Sequence, residues 1–352
     1  MIPRRLLFPQ LFVIMILWFA ARTLQPQRSQ TADGTIDVPS CINNLEQDLI
    51  GNTSEVLSVA FSPDGAYAVT GSNDWSVRLW DVQTRREIRT FKGHTGGVTS
   101  VAFSLDGKSI LTASMDRTAR MWDVTSGKEV RAFLGSAVML FGAAFSPDGK
   151  YVVAASGDKT AWMWDAQTGQ VLRTFVGHSL PVTSVAFSPN GKYILTGSRD
   201  ETARLWDPET AQSLLTFGGH IQAITSVAFS PDSRFALTGS WDKTAMAWDV
   251  DTGHVISTFT GHKDAVTSVT FSANGRYVLT GSADLTARVW DLRQPAQAKR
   301  IFRNDGSSPV WGVAFSPDGT HVLTGDRDDV ARLWNFDDTT QTSKPSPFFH
   351  SR

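Results

Sequence analysis

Cysteine is almost missing from this 352-residue sequence, which contains only Cys41. A single cysteine cannot form a disulfide within the chain or build a cysteine-based zinc or iron–sulfur site. An excess of one charge is missing too, because 33 basic residues face 34 acidic ones and the net charge is −1. Proteins that bind nucleic acid usually carry a strongly basic surface. The composition gives no such footprint, and we expect no nucleic-acid partner.

A long hydrophobic run is also lacking. The most apolar stretch, residues 6–21, contains Pro9 and Gln10 and follows Arg4 and Arg5. A helix of this length reaches roughly 24 Å, which is short of the ~30 Å hydrocarbon core of a bilayer. A basic start followed by a short apolar stretch is typical of export signals. Residues 1–21 are therefore predicted to be a signal peptide or a signal anchor.

This interpretation places the protein across a membrane, either secreted or periplasmic, or tethered by residues 1–21. A cytoplasmic location is the alternative if the start of the chain is misassigned. Residues 22–41 are rich in Gln, Ser, Thr, Asp, Gly and Pro, and predict a flexible linker. The Thr/Ser/Pro composition of residues 337–352 predicts a disordered tail. The apolar content, 41% of the chain, then falls mainly in a folded domain over residues 42–336.

Tryptophan, in contrast, is frequent, with twelve in the chain. Six of them precede an aspartate and follow one another at intervals of 42 residues, and a seventh comes 44 residues later. A further aspartate stands six residues before each of the seven. These tryptophans are Trp80, Trp122, Trp164, Trp206, Trp248, Trp290 and Trp334. A period of about 42 residues indicates a repeat protein.

Each repeat can be interpreted as four strands, which we label a to d along the chain. In the fourth repeat, Val182–Phe187 is strand a, and the Ser-Pro-Asn-Gly sequence after it is a turn. Residues 193–198 are strand b, Thr202–Trp206 is strand c, and residues 213–217 are strand d. The strands show little polar alternation, which is typical of sheets that are buried on both faces.

The Trp-Asp pairs, the preceding Gly-His pairs such as Gly177-His178, and the 42-residue period resemble the WD-repeat family of β-propellers. The resemblance covers roughly residues 45–335. It implies an all-β fold, a seven-bladed β-propeller of four-stranded antiparallel blades around a central channel. The seventh repeat has no good fourth strand after Trp334, and we predict that Leu45–Ile50 supplies it, so that the two ends meet in one sheet.

A hydrolase triad is suggested by His178, Ser198 and Asp200, but the same spacing occurs four times. One enzyme needs only one nucleophile, so the repetition favours a structural role. We predict a hydrogen-bonded chain of His, Ser, Asp and Trp in each of four blades, in which Ser accepts the indole N–H, and the resemblance implies the same. The predicted tetrads are His94, Ser114, Asp116 and Trp122; His178, Ser198, Asp200 and Trp206; His220, Ser240, Asp242 and Trp248; and His262, Ser282, Asp284 and Trp290.

Three repeats depart from this pattern. Asn52 replaces His in the first and Ser136 replaces it in the third, while Asp326 replaces Ser in the seventh. Asp326 and Asp328 could in principle bind a metal ion, but two carboxylates without a further ligand more often form a solvated turn. We therefore expect no metal site and no cofactor.

The positions that vary between repeats are the candidates for partner recognition. The turns between strands b and c should lie on one face of the ring with the connections from strand d to the next strand a. Apolar residues in such turns, beside Arg and Lys, have the composition of an interface centre. The predicted partner-binding residues are Trp75, Met115, Met139, Lys159, Leu180, Arg199, Ile221, Trp241 and Arg327.

Two function classes remain open from the sequence. The first is a non-catalytic protein-interaction scaffold, a monomeric propeller that presents this face to a protein or peptide. The second is a propeller enzyme or small-ligand binder that uses the central channel. The equal repeat lengths leave little room for the insertions that such a catalytic site would need, so the first class is favoured.

Overall fold

The computed structural model describes residues 45–303 and 308–336, which form 28 β-strands. The expected signal or anchor segment, the linker and the C-terminal tail lie outside these residues. No helix that could span a bilayer occurs in the part of the chain that is described. The strands are β1 (Leu45–Ile50), β2 (Val56–Phe61), β3 (Tyr67–Ser72), β4 (Val77–Asp81), β5 (Glu87–Phe91), β6 (Val98–Phe103), β7 (Ser109–Ser114), β8 (Ala119–Asp123), β9 (Glu129–Phe133), β10 (Leu140–Phe145), β11 (Tyr151–Ser156), β12 (Thr160–Asp165), β13 (Val171–Val176), β14 (Val182–Phe187), β15 (Ile194–Ser198), β16 (Thr202–Trp206), β17 (Ser213–Gly218), β18 (Ile224–Phe229), β19 (Phe235–Ser240), β20 (Ala245–Asp249), β21 (Val255–Phe259), β22 (Val266–Phe271), β23 (Tyr277–Ser282), β24 (Thr286–Asp291), β25 (Gln294–Arg303), β26 (Val310–Phe315), β27 (His321–Asp326) and β28 (Val330–Asn335).

These strands form seven antiparallel sheets of four strands each, which confirms the seven-bladed propeller. Six blades are consecutive meanders: blade 1 is β2–β5, and blades 2 to 6 follow in steps of four strands up to β25. Strand a of each blade contacts strand a of the next, and β26 returns to β2, so the ring is closed. Blade 7 has the order β1-β28-β27-β26.

The ring closes through β1, as the sequence predicts. Leu49 pairs with Ala331 and Ile50 with Val330 in an antiparallel ladder. Leu49 is buried against the core between blades 7 and 1. The strand made from the beginning of the domain therefore supplies the outer edge of the last blade.

A local turn sets the hairpin between strands a and b in every blade. In blade 1, the Ser62 hydroxyl donates to the Asp64 carboxylate at 2.6 Å and accepts the Tyr67 N–H at 2.9 Å. Gly65 then takes a left-handed conformation with φ of 73°, which glycine adopts without steric cost. The recurring Phe-Ser pair thus marks the point where strand a ends.

The hydrophobic core lies between neighbouring blades, not within single sheets. One cluster joins Val69 and Phe91 of blade 1 to Val101, Ile110 and Trp122 of blade 2. The seven repeated tryptophans are no more than 2% exposed. Truncation of such a side chain to alanine costs about 3–5 kcal/mol, so each interface depends on its tryptophan.

Hydroxyl groups on strand a add hydrogen bonds between blades near the channel. In blade 4, Thr183 Oγ1 donates to the Ile224 carbonyl at 2.6 Å, and Ser184 Oγ accepts the Val227 N–H at 3.1 Å. Blades 2, 5 and 6 carry the same Thr-Ser pair, with bonds to the next blade. Blades 3 and 7 instead carry the pairs Phe141-Gly142 and Trp311-Gly312 at these positions.

Candidate functional site

The four predicted tetrads contain a threonine where the sequence analysis places a serine. In blade 4, Trp206 Nε1 donates to Thr196 Oγ1 at 2.8 Å. The same hydroxyl lies 2.8 Å from His178 Nε2, and His178 Nδ1 lies 2.8 Å from Asp200 Oδ2. The corresponding distances in blades 2, 5 and 6 are between 2.7 and 3.0 Å. Their members are His94, Thr112, Asp116 and Trp122; His220, Thr238, Asp242 and Trp248; and His262, Thr280, Asp284 and Trp290.

The predicted role of the serines is therefore wrong, and strand geometry explains why. Trp206 pairs with Ile194 on strand b, so Thr196 is two residues further along that strand and Ser198 is four. At about 3.3 Å per residue, the indole can reach the nearer hydroxyl and not the further one. The correction applies equally to Ser114, Ser198, Ser240 and Ser282.

The serine has a different function at the C-terminal end of strand b. Ser198 Oγ donates to the carbonyls of Leu180 and Pro181, both at 3.0 Å, and accepts the Asp200 N–H at 3.1 Å. It therefore joins the b–c turn to the connection from the preceding blade. A threonine at the position of Thr196 in strand b recurs in six of the seven repeats, and that recurrence marks it as a second candidate hydroxyl.

The tetrads of blades 4 and 6 favour a neutral imidazole beside an ionised carboxylate. Burial lowers the pKa of His178 and His262, although hydrogen bonds with Asp200 and Asp284 partly oppose this. Burial works against ionisation of Asp242, but hydrogen bonds from His220 and Thr244 outweigh it and lower its pKa to about 2. The threonine hydroxyl can then accept from Trp and donate to His, while His Nδ1–H donates to Asp. This arrangement gives a partner to the indole, both imidazole nitrogens and the carboxylate of each tetrad.

Blade 1 replaces the imidazole with an amide. Thr70 Oγ1 still accepts the Trp80 indole N–H at 3.1 Å and donates to Asn52 Oδ1 at 3.3 Å. Because Asn52 is shorter than histidine, Arg78 fills the gap: its Nη1 donates to Asn52 at 3.0 Å and to Asp74 at 2.9 Å.

Blade 3 lacks the threonine as well, because Ala154 stands in its place. Trp164 Nε1 donates instead to the Leu134 carbonyl at 2.8 Å. A second tryptophan, Trp162, stacks on Trp164 at 6.2 Å and donates to Asp158 at 3.0 Å. The aspartate is thus held by an indole and not by an imidazole.

Blade 7 uses a charged cluster. Asp326 is fully buried, and the Arg332 guanidinium donates to both Asp326 and Asp328. Arg332 Nη2 lies 2.6 Å from Asp328 Oδ2. Arg332 Nε also lies 3.4 Å from Asp48 on β1. The cation between the two carboxylates is therefore a guanidinium. No group of three or more potential metal ligands occurs within residues 45–303 and 308–336.

The seven b–c turns share an unusual backbone conformation. The residue after the turn aspartate has φ between 69° and 76° in every blade, although none is glycine. A left-handed conformation costs a residue with a side chain roughly 1–2 kcal/mol. These residues are Trp75, Arg117, Lys159, Glu201, Lys243, Leu285 and Asp329. Each turn therefore carries a side chain at a position where glycine would be easier to accommodate.

Backbone hydrogen bonds place these turns and the d–a connections on one face, which we call the upper face. Arg199 N donates to the Pro181 carbonyl at 3.0 Å, and Trp241 N donates to the Ala223 carbonyl at 3.0 Å. Equivalent bonds join the two segments in the other five blades. The loops that vary most between repeats are thus held together on a rigid support.

The predicted partner-binding residues all lie on this upper face, with different exposure. Ile221 is 76% exposed, Trp75 54%, and Leu180 and Trp241 45% each. Lys159 and Arg327 are also exposed, whereas Met115, Met139 and Arg199 are half-buried.

Two of these residues form a contact that extends to a third blade. The Arg199 guanidinium lies 6.0 Å from the Trp241 ring centroid and 5.5 Å from that of Phe141. Phe141 belongs to strand a of blade 3, and sequence reasoning did not identify it. Elsewhere on the face, Arg327 forms an ion pair with Glu55 at 3.0 Å.

The central channel contains a cavity of about 140 Å³. Its lining comes from all seven a strands and consists mainly of Ser and Thr from blades 1, 2, 4, 5 and 6, together with Leu57, Phe141 and Trp311. Small-molecule pockets usually measure about 300–1,000 Å³. This cavity is therefore small for an organic ligand.

The closed ring, the 42-residue repeat and the Trp-Asp signature define a propeller built from WD repeats. Comparison with protein families agrees: the family described as "IFT122 first beta-propeller" matches residues 139–346, and "WD domain, G-beta repeat" matches residues 41–81 and 85–123. The first match covers more than half of the chain. The chain belongs to the WD-repeat β-propeller family.

Individual relatives match over short stretches. The chain is 43% identical over 51 residues to a Notchless protein homolog of Arabidopsis thaliana, which is 14% of this chain and 11% of that protein. It is 50% identical over 46 residues to a ribosome biogenesis protein BOP1 homolog of Aedes aegypti, which is 12% of this chain and 5% of that protein. The chain thus covers a small part of these relatives, slightly more than one repeat.

Proposed function

We propose that the protein is a non-catalytic interaction scaffold that presents its upper face to a protein or peptide partner. The observation that carries this proposal is the exposure of Ile221, Trp75, Leu180 and Trp241 in loops, where polar residues are usual. Clustered exposed apolar side chains mark interaction sites on soluble proteins. Tryptophan and arginine in particular are enriched among residues that dominate binding energy.

The rigid support strengthens the proposal. Backbone bonds and the tetrads fix the upper-face loops before any partner arrives, so little conformational entropy is lost on binding. The left-handed b–c turn residues also support the proposal. Their backbone conformation is unfavourable for residues other than glycine, yet all seven turns keep a side chain there.

The alternative, a propeller enzyme or small-ligand binder, receives less support. The cavity is small, and its lining offers hydroxyl groups, glycines and apolar side chains without carboxylates or imidazoles among the described residues. The relatives named for ribosome biogenesis share about one repeat with this chain, so they support the repeat fold and no particular partner. Export stays a prediction, since residues 1–44 lie outside the described part.

The proposal can be tested by quantitative cross-linking and affinity capture with the full chain in its native host. The upper-face variant Ile221→Ser/Trp241→Ser should lose the captured partners. A matched control, Val171→Ser/Leu214→Ser, changes residues of similar exposure on the outer strands β13 and β17, and should retain them. Both variants should unfold within about 0.5 kcal/mol of the parent, as is usual for surface changes. Equal capture by the two variants would contradict the proposal.

A further inference from the structure

One part of the upper face forms a continuous surface across blades 3 to 5. Val138 Cγ2 and the Phe141 ring both lie beside Gly157, where an added Cβ would be 3.3 and 3.5 Å from them. Phe141 then contacts Arg199, and Arg199 contacts Trp241. Three apolar side chains and one guanidinium therefore lie close together along the rim.

Exposed apolar loop residues extend this surface. Val138 is 38% exposed, and Leu180 and Ile221 project from the d–a connections of blades 4 and 5. Ile221 N donates to Asp242, which holds its connection beside the turn that carries Trp241. We call Val138, Phe141, Leu180, Arg199, Ile221 and Trp241 the apolar arc.

Charges on the two halves of the upper face differ. Among the described loop residues of blades 2 to 5 outside the tetrads, there are five cations, Lys92, Arg117, Lys159, Arg199 and Lys243, and two anions, Asp158 and Glu201. The corresponding residues of blades 6, 7 and 1 are two cations, Lys263 and Arg327, and five anions, Glu55, Asp74, Asp264, Asp328 and Asp329. The whole chain is nearly neutral, so the positive charge beside the apolar arc is a local property.

The chemistry of Arg199 suits a carboxylate. A guanidinium that stacks on aromatic faces keeps its N–H donors in its own plane, which is the geometry that suits a planar carboxylate. Burial lowers the pKa of the Arg199 guanidinium, so an approaching anion would also stabilise its charge.

We infer that the apolar arc binds an extended peptide segment in which bulky apolar residues alternate with Asp or Glu. The apolar side chains would pack against Ile221, Leu180 and Trp241, and a carboxylate would meet Arg199, with Lys159 and Lys243 at the edges. This inference rests on the proposed function and names the class of partner.

A peptide fits these observations better than a single-stranded nucleic acid. Nucleic acid would use the aromatic ring and the cations, but it has no use for the aliphatic side chains of Val138, Leu180 and Ile221. Aliphatic anchors beside basic residues match an acidic, hydrophobic segment instead.

The test is selection from a random 12-residue peptide library on the immobilised full chain, with counter-selection on Ile221→Ser/Trp241→Ser. Sequences with at least two acidic residues next to Leu, Ile, Phe or Met should be enriched. Enrichment of basic sequences, of acid-free sequences or of none would overturn the inference. Tighter binding of a 12-nucleotide oligouridylate than of the selected peptides would also overturn the inference.

Affinity measurements with one selected peptide then locate the contact. By fluorescence anisotropy, Lys159→Glu/Lys243→Glu should weaken binding at least tenfold at low salt, and the difference should shrink as salt rises. The control Lys108→Glu/Lys192→Glu changes exposed lysines in the a–b turns and should bind like the parent. An unchanged affinity in the first variant would overturn the inference.

These results are separable from the proposed function. If partner capture depends on Ile221 and Trp241 but the selected peptides are not acidic, the scaffold role stands and only the class of partner is wrong. If partner capture does not depend on Ile221 and Trp241, the proposed function itself is wrong.

Discussion

Blades 2, 4, 5 and 6 and blades 1, 3 and 7 join the same parts of the fold by different chemistry. The first group uses an imidazole between a threonine hydroxyl and an aspartate. The second uses an amide with Arg78, a second indole at Trp162, or the buried guanidinium of Arg332. Every blade keeps two things: an acceptor for the repeated indole and a partner for the turn aspartate. The comparison teaches that the repeat requires these two connections, and that histidine is one of several residues that supply them.

Blades 3 and 7 also differ from the first group at the channel, where they lack the Thr-Ser pair of strand a. The same two blades are therefore exceptional at both the inner and the upper end. Blade 1 departs less from the first group, because it keeps Ser58 and its bond to Val101 at 3.1 Å.

The largest effect should come from removal of the closing strand of blade 7. Deletion of residues 1–50 removes Leu49, the ladder to β28 and the Asp48–Arg332 ion pair, whereas deletion of residues 1–40 removes none of them. We expect the longer deletion to lower the free energy of unfolding by about 5 kcal/mol, from several ladder hydrogen bonds and one buried leucine. Urea unfolding of both truncations measures the difference. Equal stability of the two would show that blade 7 does not need β1.

The charged cluster of blade 7 should be the next most sensitive. Arg332→Met leaves the buried Asp326 carboxylate without its cation, and we expect a loss of about 3–5 kcal/mol. Asp326→Ser/Arg332→Met introduces the serine that other blades have at this position, and should recover a large part of the loss. Chemical denaturation of the single and double variants tests the coupling, and purely additive losses would contradict it.

Within the tetrad blades, threonine should matter more than serine. Thr196→Val leaves the Trp206 indole N–H and His178 Nε2 without their shared hydroxyl, and should cost about 2–3 kcal/mol. Ser198→Ala removes only the bonds to the loop carbonyls and to the Asp200 N–H, and should cost about 1 kcal/mol. The reverse order in urea unfolding would restore serine to the role that the sequence analysis gives it.

The smallest effect should be a pH dependence that arises from the histidines of blades 4 and 6. The pKa of His178 and His262 is lowered by burial, so the folded chain binds fewer protons than the unfolded one. Their contribution is complete above an unfolded pKa of 6.5 and is lost as the pH falls towards the lower folded value. The contribution of Asp242 is present above 3.8 and is lost only as the pH falls through about 2. Stability should therefore decrease between pH 6.5 and 4.

The variant His178→Asn/His262→Asn gives blades 4 and 6 the amide of blade 1 and provides the control. Its unfolding midpoint in urea should be lower at pH 7 but should change less between pH 6.5 and 4. An identical slope in parent and variant would place the acid sensitivity outside the tetrads.

The fold was predictable from the sequence because the repeated tryptophan occupies one structural position in each blade. The period therefore counts the blades, and the missing fourth strand of the last repeat predicts the role of β1. The role of the threonine in the tetrads was not predicted, because the hydroxyl that the indole can reach depends on strand register. Spacing along the chain does not reveal that register. The contact between Arg199 and Phe141 was not predicted for a related reason. The two residues belong to different blades, and only the assembled ring brings them together.

The pairing of β1 with β28 also affects the order of assembly. Leu49 leaves the ribosome before any blade exists, yet its partner Ala331 is translated almost at the end of the domain. Strand β1 therefore has no pairing partner, and its backbone groups stay hydrated, until β28 has been made. A contact over so long a separation forms slowly. Circular permutants that place β1 directly after β28 should consequently refold faster than the natural chain, even if their final stability is the same.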